Sequence, residues 1–258
     1  MKNKFLVSIA IILCLVIFIA VILIPLHKPK APPAKITPAL KGRIAIVIDD
    51  FGYNQNNLGI IEQIKQPLTC AVLPNLENTS IVAKKLHEFG FEIILHLPME
   101  PKEAHRLEKD TVSVRMNQGE ISKIIKKDLI SLGYALGVSN HMGSRATQDL
   151  KTTTRIMQEI KKHDLYFLDS FVTANSVCAS LAKKIGLKFA KRDVFLDNQN
   201  NPEYIKNQLG ELKKIANRQG LAVGIGHDRK NTLLVLKEML PELAREGYKF
   251  VFVSEIAR

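Results

Sequence analysis

Between Arg43 and Arg258, short apolar runs alternate with segments of helical periodicity, and this alternation constrains the fold more than any other feature. Runs rich in Val, Ile and Leu are typical of strands that are buried on both faces of a parallel sheet. The predicted strands are Ile44–Ile48, Leu68–Val72, Glu92–His96, Ala135–Ser139, Tyr166–Leu168, Leu187–Ala190, Ala222–Ile225 and Phe250–Val253. Strands that alternate with helices predict parallel pairing through helical crossovers.

The pattern predicts an α/β fold, a (β/α)-barrel of about seven strands that is similar to a distorted TIM barrel. A doubly wound open sheet is the alternative, because periodicity alone does not show whether a sheet closes. No break in composition interrupts residues 43–258, so we predict a single domain there. Because 46% of the residues are hydrophobic, the chain can bury a substantial core.

The N-terminal segment is predicted to anchor the chain in a membrane. Phe5–Leu26 is a run of 22 residues without a charge, and about 20 apolar residues suffice for a helix to cross a bilayer. No small-x-small cleavage site follows, so we predict an uncleaved signal anchor at 1–26 and a linker rich in proline and lysine at 27–42. The predicted location is the inner or cytoplasmic membrane, with the domain facing the periplasm or the cell exterior.

The chain is basic, with 37 Lys and Arg residues against 25 Asp and Glu residues and a formal net charge of +12. Many of the lysines form pairs at helical positions, which is typical of a solvated helix face. Attraction to anionic membranes or acidic wall polymers is the alternative. No nucleic-acid-binding motif accompanies the charge, so nucleic acid is not among the predicted partners.

Acidic and imidazole side chains follow five of the predicted strands. They are Asp49 and Asp50, His96, His141, Asp169 and His227. Each residue taken singly could be a helix cap or a core residue. Parallel β/α architectures, however, collect their chemistry at the carboxyl ends of their strands. The shared placement therefore favours a metal site or an acid/base site.

The residue types indicate which chemistry to expect. One carboxylate and two imidazoles suit Zn²⁺ or another divalent transition metal, and such an ion lowers the pKa of bound water to about 7. A second carboxylate could accept the proton of that water, while a histidine across the site protonates the leaving group, which is worth roughly 10²–10⁴-fold in rate. Asp49 and Asp50 leave adjacent backbone positions, so one can bind the metal while its neighbour acts as the base.

The same residues resemble the motifs of the divergent polysaccharide deacetylase family, a bacterial branch of the polysaccharide deacetylase superfamily. IVIDDFGYN is similar to the opening motif, EIILHLPMEP to the metal-binding motif, and FLDS and GIGHDR to later motifs. The resemblance covers Arg43 to about Glu255. It implies that Asp49 is the catalytic base, Asp50 and His96 are metal ligands, His227 is the general acid and Asp169 orients His227.

Two features depart from the family pattern. Glu100 stands where the second histidine of the metal-binding motif is expected, so the third ligand is either Glu100 or His141 of NHMGSR. The resemblance favours His141, and it leaves Glu100, Asn140 and Arg145 as substrate-binding residues. The usual arginine–proline motif is not evident after the fourth strand.

The resemblance implies a metal-dependent hydrolase that removes acetyl groups from an N- or O-acetylated polysaccharide or oligosaccharide of the cell envelope. The expected partners are that carbohydrate and, through the N-terminal helix, the membrane. A non-catalytic carbohydrate-binding or envelope-scaffold protein on the same fold is the alternative. Hydrolysis of a different amide or ester is a third possibility.

Overall fold

The computed structural model describes residues 2–23 and 39–258. Helix α1 spans Lys2–Leu23, and its described side chains between Phe5 and Ile19 are exposed. None of the helices in these ranges combines the length and the apolarity that a membrane crossing requires. The signal anchor stays a prediction, and residues 24–38, which include most of the predicted linker, lie outside the described residues.

Nine strands form one sheet in residues 39–258, and every described pairing in it is parallel. They are β1 Gly42–Phe51, β2 Thr69–Val72, β3 Glu92–Met99, β4 Gly137–Met142, β5 Tyr166–Asp169, β6 Phe189–Lys191, β7 Val194–Phe195, β8 Leu221–His227 and β9 Tyr248–Phe250. The order is β6-β5-β4-β3-β2-β1-β8-β7, and β9 pairs with the first residues of β1.

The two ends of this order meet at the link between β6 and β7. Strand β6 pairs with β5 and β7 pairs with β8, although only Arg192 and Asp193 separate the two strands in sequence. The Arg192 N–H donates to the Asp169 carbonyl at 3.0 Å, and the Asp193 N–H donates to the Val223 carbonyl at 2.8 Å. The segment thus passes from one edge of the sheet to the other. The sheet curves into a parallel α/β half-barrel, which fits the predicted barrel.

The number and the bounds of the strands differ from the prediction. The weak strand predicted at Leu187–Ala190 overlaps β6, whereas β7 has no predicted counterpart, because two residues are too short to show a period. The last predicted strand is shifted, because β9 ends at Phe250 and a 3₁₀ turn occupies Val253–Glu255.

Helices lie between the strands, as the alternation predicts. In the described domain they are α2 Leu58–Ile61, α3 Thr79–Glu88, α4 Gln118–Leu132, α5 Leu150–Lys162, α6 Cys178–Ile185, α7 Pro202–Gln219 and α8 Lys230–Glu246, with a 3₁₀ turn at Ala146–Gln148. Side chains cap three of them: Asn117 and Glu120 form a capping box on α4, and Asp149 and Asn201 accept from the first turns of α5 and α7. These caps fix where the strand-to-helix loops end.

Side chains of β1 alternate between two cores. Ile44, Ile46 and Ile48 pack between the sheet and the helices, whereas Ala45 and Val47 belong to a smaller core inside the barrel. Successive side chains of a strand point to opposite faces, so Asp49 points into the barrel like Ala45 and Val47. We call such a set of inward-pointing side chains on one strand its interior row.

The interior rows of other strands also end in polar residues. Ile94 precedes His96 by two positions, Leu168 precedes Ser170, and Ile225 precedes His227. Side-chain alternation therefore brings polar groups from several strands to one mouth of the barrel, at the carboxyl ends of the strands.

Candidate metal centre and active site

Asp50, His96 and His141 form a group in which the potential ligand atoms lie within 4.8 Å of one another. Asp50 Oδ1 is 3.3 Å from His96 Nε2 and 3.0 Å from His141 Nδ1. The three residues come from β1, β3 and β4. The group contains His141 and not Glu100, the other candidate for the third position.

Local structure sets the directions of these side chains. Asp50 has a φ of 67°, a left-handed conformation that Asp tolerates better than most residues because its short side chain can hydrogen-bond locally. This change of backbone direction separates the Asp50 carboxylate from the interior row of Asp49. Ser139 Oγ lies 2.8 Å from His96 Nδ1, which fixes the imidazole ring and leaves Nε2 directed at the two carboxylates.

Burial and charge shift the protonation of this group. Burial disfavours the ionised form of Asp50, but hydrogen bonds to His141 and His96 outweigh burial and lower the pKa of the carboxyl. Burial also opposes a charge on His96, yet the carboxylates of Asp49 and Asp50 raise its pKa. For Asp49, burial dominates and raises the pKa above its usual value, against the opposing charge of His96. At this mouth, therefore, Asp50 ionises easily, whereas the neighbouring Asp49 keeps its proton more readily.

The donor set fits a divalent metal ion. Two imidazoles and one carboxylate are the ligands found in one class of catalytic zinc site, which keeps a further position open. Two buried atoms at the same mouth, His141 Nε2 and Asp49 Oδ1, have no hydrogen-bond partner among the described residues. Buried polar atoms without partners are uncommon and indicate a missing ligand or solvent contact.

His227 lies next to this group and is held by Asp197. The register of β1 and β8 pairs Asp49 with His227. His227 Nδ1 lies 2.7 Å from Asp197 Oδ1, and the His227 backbone N–H donates to Asp197 Oδ2 at 2.8 Å. Burial lowers the pKa of His227, but the hydrogen bond and the charge of Asp197 outweigh burial and raise it.

Asp169, the predicted partner of His227, has a different role. Its Oδ1 accepts from the Phe171 N–H at 2.8 Å, and its Oδ2 accepts from Ser176 Oγ at 2.7 Å. The assignment of Asp169 is thus corrected to Asp197. The reason is that residues two apart on a strand point to the same face. Asp169 lies on the same face as Phe167, which packs in the core between the sheet and the helices. Asp197 lies on the same face as Phe195, which packs against the core inside the barrel.

The three predicted substrate-binding residues mainly contact protein groups. Glu100 accepts from Arg145 Nη1 at 3.0 Å and from the Val114 N–H at 2.8 Å. Asn140 is buried, accepts from the Ser170 N–H and donates to the Met142 carbonyl. Arg145 alone is largely exposed, with 57% of its side chain accessible. Asn140 therefore connects β4 to the end of β5, with one hydrogen bond at its amide nitrogen and one at its amide oxygen.

Comparison with known proteins places the chain in a family. The family model described as divergent polysaccharide deacetylase matches residues 46–257. The chain belongs to this family. The match includes every strand end that carries the site.

The relatives of this chain include proteins that are named as uncharacterized. The uncharacterized protein YibQ of Escherichia coli (strain K12) is 38% identical over 207 residues, and the match covers 80% of this chain and 65% of the Escherichia coli protein. The uncharacterized protein ATU2773 of Agrobacterium tumefaciens C58 has the same fold, with a TM-score of 0.77, 24% identity, and coverage of 85% of this chain and 90% of that one.

A more distant solved structure shares the fold. The Bc1960 peptidoglycan N-acetylglucosamine deacetylase has a TM-score of 0.52 and 16% identity, and the match covers 86% of this chain and 92% of that one. At this identity the similarity shows the fold alone. In this chain, one mouth of that fold combines the group of Asp50, His96 and His141, a buried carboxyl and an imidazole paired with an aspartate.

Proposed function

We propose that this protein is a metal-dependent hydrolase that removes acetyl groups from an N- or O-acetylated sugar of the cell envelope. The observation that supports this proposal is the grouping of Asp50, His96 and His141 within 4.8 Å, with Asp49 and His227 beside it on adjacent strands. Zn²⁺ suits the two imidazoles and the carboxylate best.

The side chains have complementary roles in the proposed reaction. A divalent cation held by Asp50, His96 and His141 would supply Lewis-acid polarisation of an acyl carbonyl and acidify water. The raised pKa of Asp49 suits a general base, because it brings the carboxyl closer to neutral pH. Asp197 occupies Nδ1 of His227, so Nε2 is the nitrogen available to give a proton to the departing amine or alcohol.

Two observations support an envelope carbohydrate as the substrate. The family is that of polysaccharide deacetylases, and a protein of similar fold is described as a peptidoglycan N-acetylglucosamine deacetylase. The net charge of +12 adds attraction to acidic wall polymers or membranes. The periplasm or the cell exterior is the proposed compartment, and the membrane the proposed anchoring surface.

Acetate release by the full-length chain tests the proposal. The protein is stripped with a chelator, resupplied with Zn²⁺, Co²⁺ or Mn²⁺, and incubated with N-acetylglucosamine oligomers and O-acetylated oligosaccharides. Activity should return with metal and disappear in Asp50→Ala. The matched control is Asp164→Ala, which removes a side chain that is 93% exposed and lies outside the site.

The outcomes separate this proposal from its alternative. Turnover that survives Asp50→Ala, or that ignores chelation, would refute the assignment. Binding of the oligomers without acetate release, with all three metals, would favour a carbohydrate-binding or scaffold protein. Hydrolysis of simple esters without acetate release from sugars would indicate a different amide or ester substrate.

A further inference from the structure

The hydroxyl group of Ser170 forms no hydrogen bond with any described residue. The residue is only 2% exposed, and its Oγ has no hydrogen-bond partner among the described residues. A buried hydroxyl left without a partner opposes folding, because its bonds to water are lost and not replaced. Such an atom in a native structure therefore requires an explanation.

The position of Ser170 indicates what that explanation is. Ser170 follows Leu168 by two residues, and Leu168 packs in the core inside the barrel, so the hydroxyl continues that interior row toward the mouth. In the order of the sheet, β5 lies between β4, which carries His141, and β6. The chain continues from β6 through β7 to Asp197. Ser170 thus lies on the arc of the mouth between the candidate metal group and the proposed acid.

The backbone around Ser170 is held rigidly. The Ser170 N–H donates to Asn140 Oδ1 at 2.9 Å, and its carbonyl accepts from Arg192 Nε at 2.6 Å. The next residue, Phe171, has a φ of 49°, which is unusual for a bulky side chain. The side chain of Asp169 and Arg192 Nη2 hold that conformation through the N–H and carbonyl of Phe171. Strained backbone that the surroundings enforce in this way is characteristic of functional sites.

We propose that Ser170 Oγ is a substrate-binding group that hydrogen-bonds the acetamido group of an N-acetylated sugar. This inference rests on the proposed function, because that function supplies the class of ligand. A hydroxyl can donate to the carbonyl oxygen or accept from the amide N–H of such a group. The fixed backbone means that little freedom is lost when the bond forms.

Thr152 offers a matched control for the experiment. Its Oγ1 is also buried, but it lies beside the Asp149 carboxylate in the first turn of α5 and outside the interior rows. Ser170→Ala and Thr152→Val each remove one buried hydroxyl. The thermal midpoint of Ser170→Ala should equal or exceed that of the parent chain, because this substitution breaks no hydrogen bond.

The decisive measurement is binding of triacetylchitotriose to the full-length chain by calorimetry or NMR. Ser170→Ala should weaken binding about three- to tenfold, the worth of one net hydrogen bond, and raise KM by a similar factor with kcat nearly unchanged. Thr152→Val should bind like the parent.

Three results would overturn the proposal. They are unchanged binding in Ser170→Ala, absence of binding by the parent chain, and a thermal midpoint that falls in Ser170→Ala. The last result would mean that an internal contact satisfies the hydroxyl. If the parent binds the sugar but releases no acetate, the proposed hydrolase function fails, while the difference in binding still decides the role of Ser170.

Discussion

Asp197 holds His227 at two points, through the imidazole Nδ1 at 2.7 Å and through the backbone N–H at 2.8 Å. A third donor, Thr232 Oγ1, reaches the same carboxylate at 2.7 Å. The carboxylate is fully buried, so its charge acts on the imidazole with little screening. This pairing determines both which nitrogen of His227 faces the mouth and how readily the ring holds a proton.

Asp197→Asn should lower both the pKa of His227 and the turnover number. The amide has no charge to offset the burial of the imidazolium, so the pKa falls, and loss of a well-placed acid costs roughly 10²–10⁴-fold in rate. NMR titration of the imidazole and kcat measured at neutral pH test this. Asp169→Asn should leave the His227 pKa in place, because both Asp169 oxygens bond elsewhere. The opposite ranking of the two variants would restore the original assignment.

Ser139→Ala should weaken metal binding by about 10- to 100-fold, the usual cost of losing a group that orients a ligand. Ser139 is fully buried and contacts His96 Nδ1, so its loss frees the imidazole ring to rotate. Competition with a chromogenic chelator measures the affinity for Zn²⁺. Ser131→Ala is the control, because that hydroxyl donates to the Asp128 carbonyl within α4. Equal affinities in the two variants would show that Ser139 does not orient a ligand.

Gly143→Ala should destabilise the fold more than Gly90→Ala. The two glycines have nearly the same φ, 89° and 87°, and thus carry a similar conformational cost of about 1 kcal/mol. An added Cβ at Gly143 would lie 2.9 Å from Met99 Cβ, whereas Gly90 has open space. The contact should cost roughly 1 kcal/mol or more in addition and should displace His141, two residues earlier. Denaturant unfolding gives the free energies, and equal losses would contradict the prediction.

Asp128→Asn should stabilise the protein over the parent chain, and the gain should be larger at pH 8 than at pH 5. Burial raises the pKa of Asp128 to about 7, although a hydrogen bond from Asn75 opposes the shift. Between its unfolded pKa of 3.8 and about 7, the folded chain binds more protons than the unfolded chain, so the stability that the carboxyl contributes is lost as pH rises. The neutral amide avoids this loss. Thermal midpoints across pH 4–8 check the trend, with the exposed Asp164→Asn as the control.

The sequence predicts the parallel barrel and the residues of the metal group for one physical reason. In a parallel β/α fold the carboxyl ends of the strands meet at one mouth, so polar residues that end apolar runs come together. Asp50, His96 and His141 could be found from this rule without knowing the pairing of the strands. Their mutual distances required the register, in which His141 lies opposite Pro98 and His96 opposite Ser139.

Asp197 could not be identified because the sequence contains two nearly identical signals. Phe167-Leu168-Asp169 and Phe195-Leu196-Asp197 both read FLD, each at the end of a short apolar run. A strand buried on both faces is apolar at every position, so its sequence does not show which residues face inward. A slip of one position exchanges the two faces. Only the packing of Phe167 outward and Phe195 inward distinguishes the two aspartates.

The short link at Arg192 and Asp193 has a consequence for how such a barrel can diversify. The segment around it changes neighbours midway, from β5 to β8, and none of the candidate ligands lies in it. The strands that carry Asp49, Asp50, His96, His141 and His227 are joined by continuous pairing from β8 through β1, β2 and β3 to β4. A longer or shorter connection at Arg192 and Asp193 would therefore reshape the opposite side of the mouth, between β5 and β7, without changing the spacing of these five side chains.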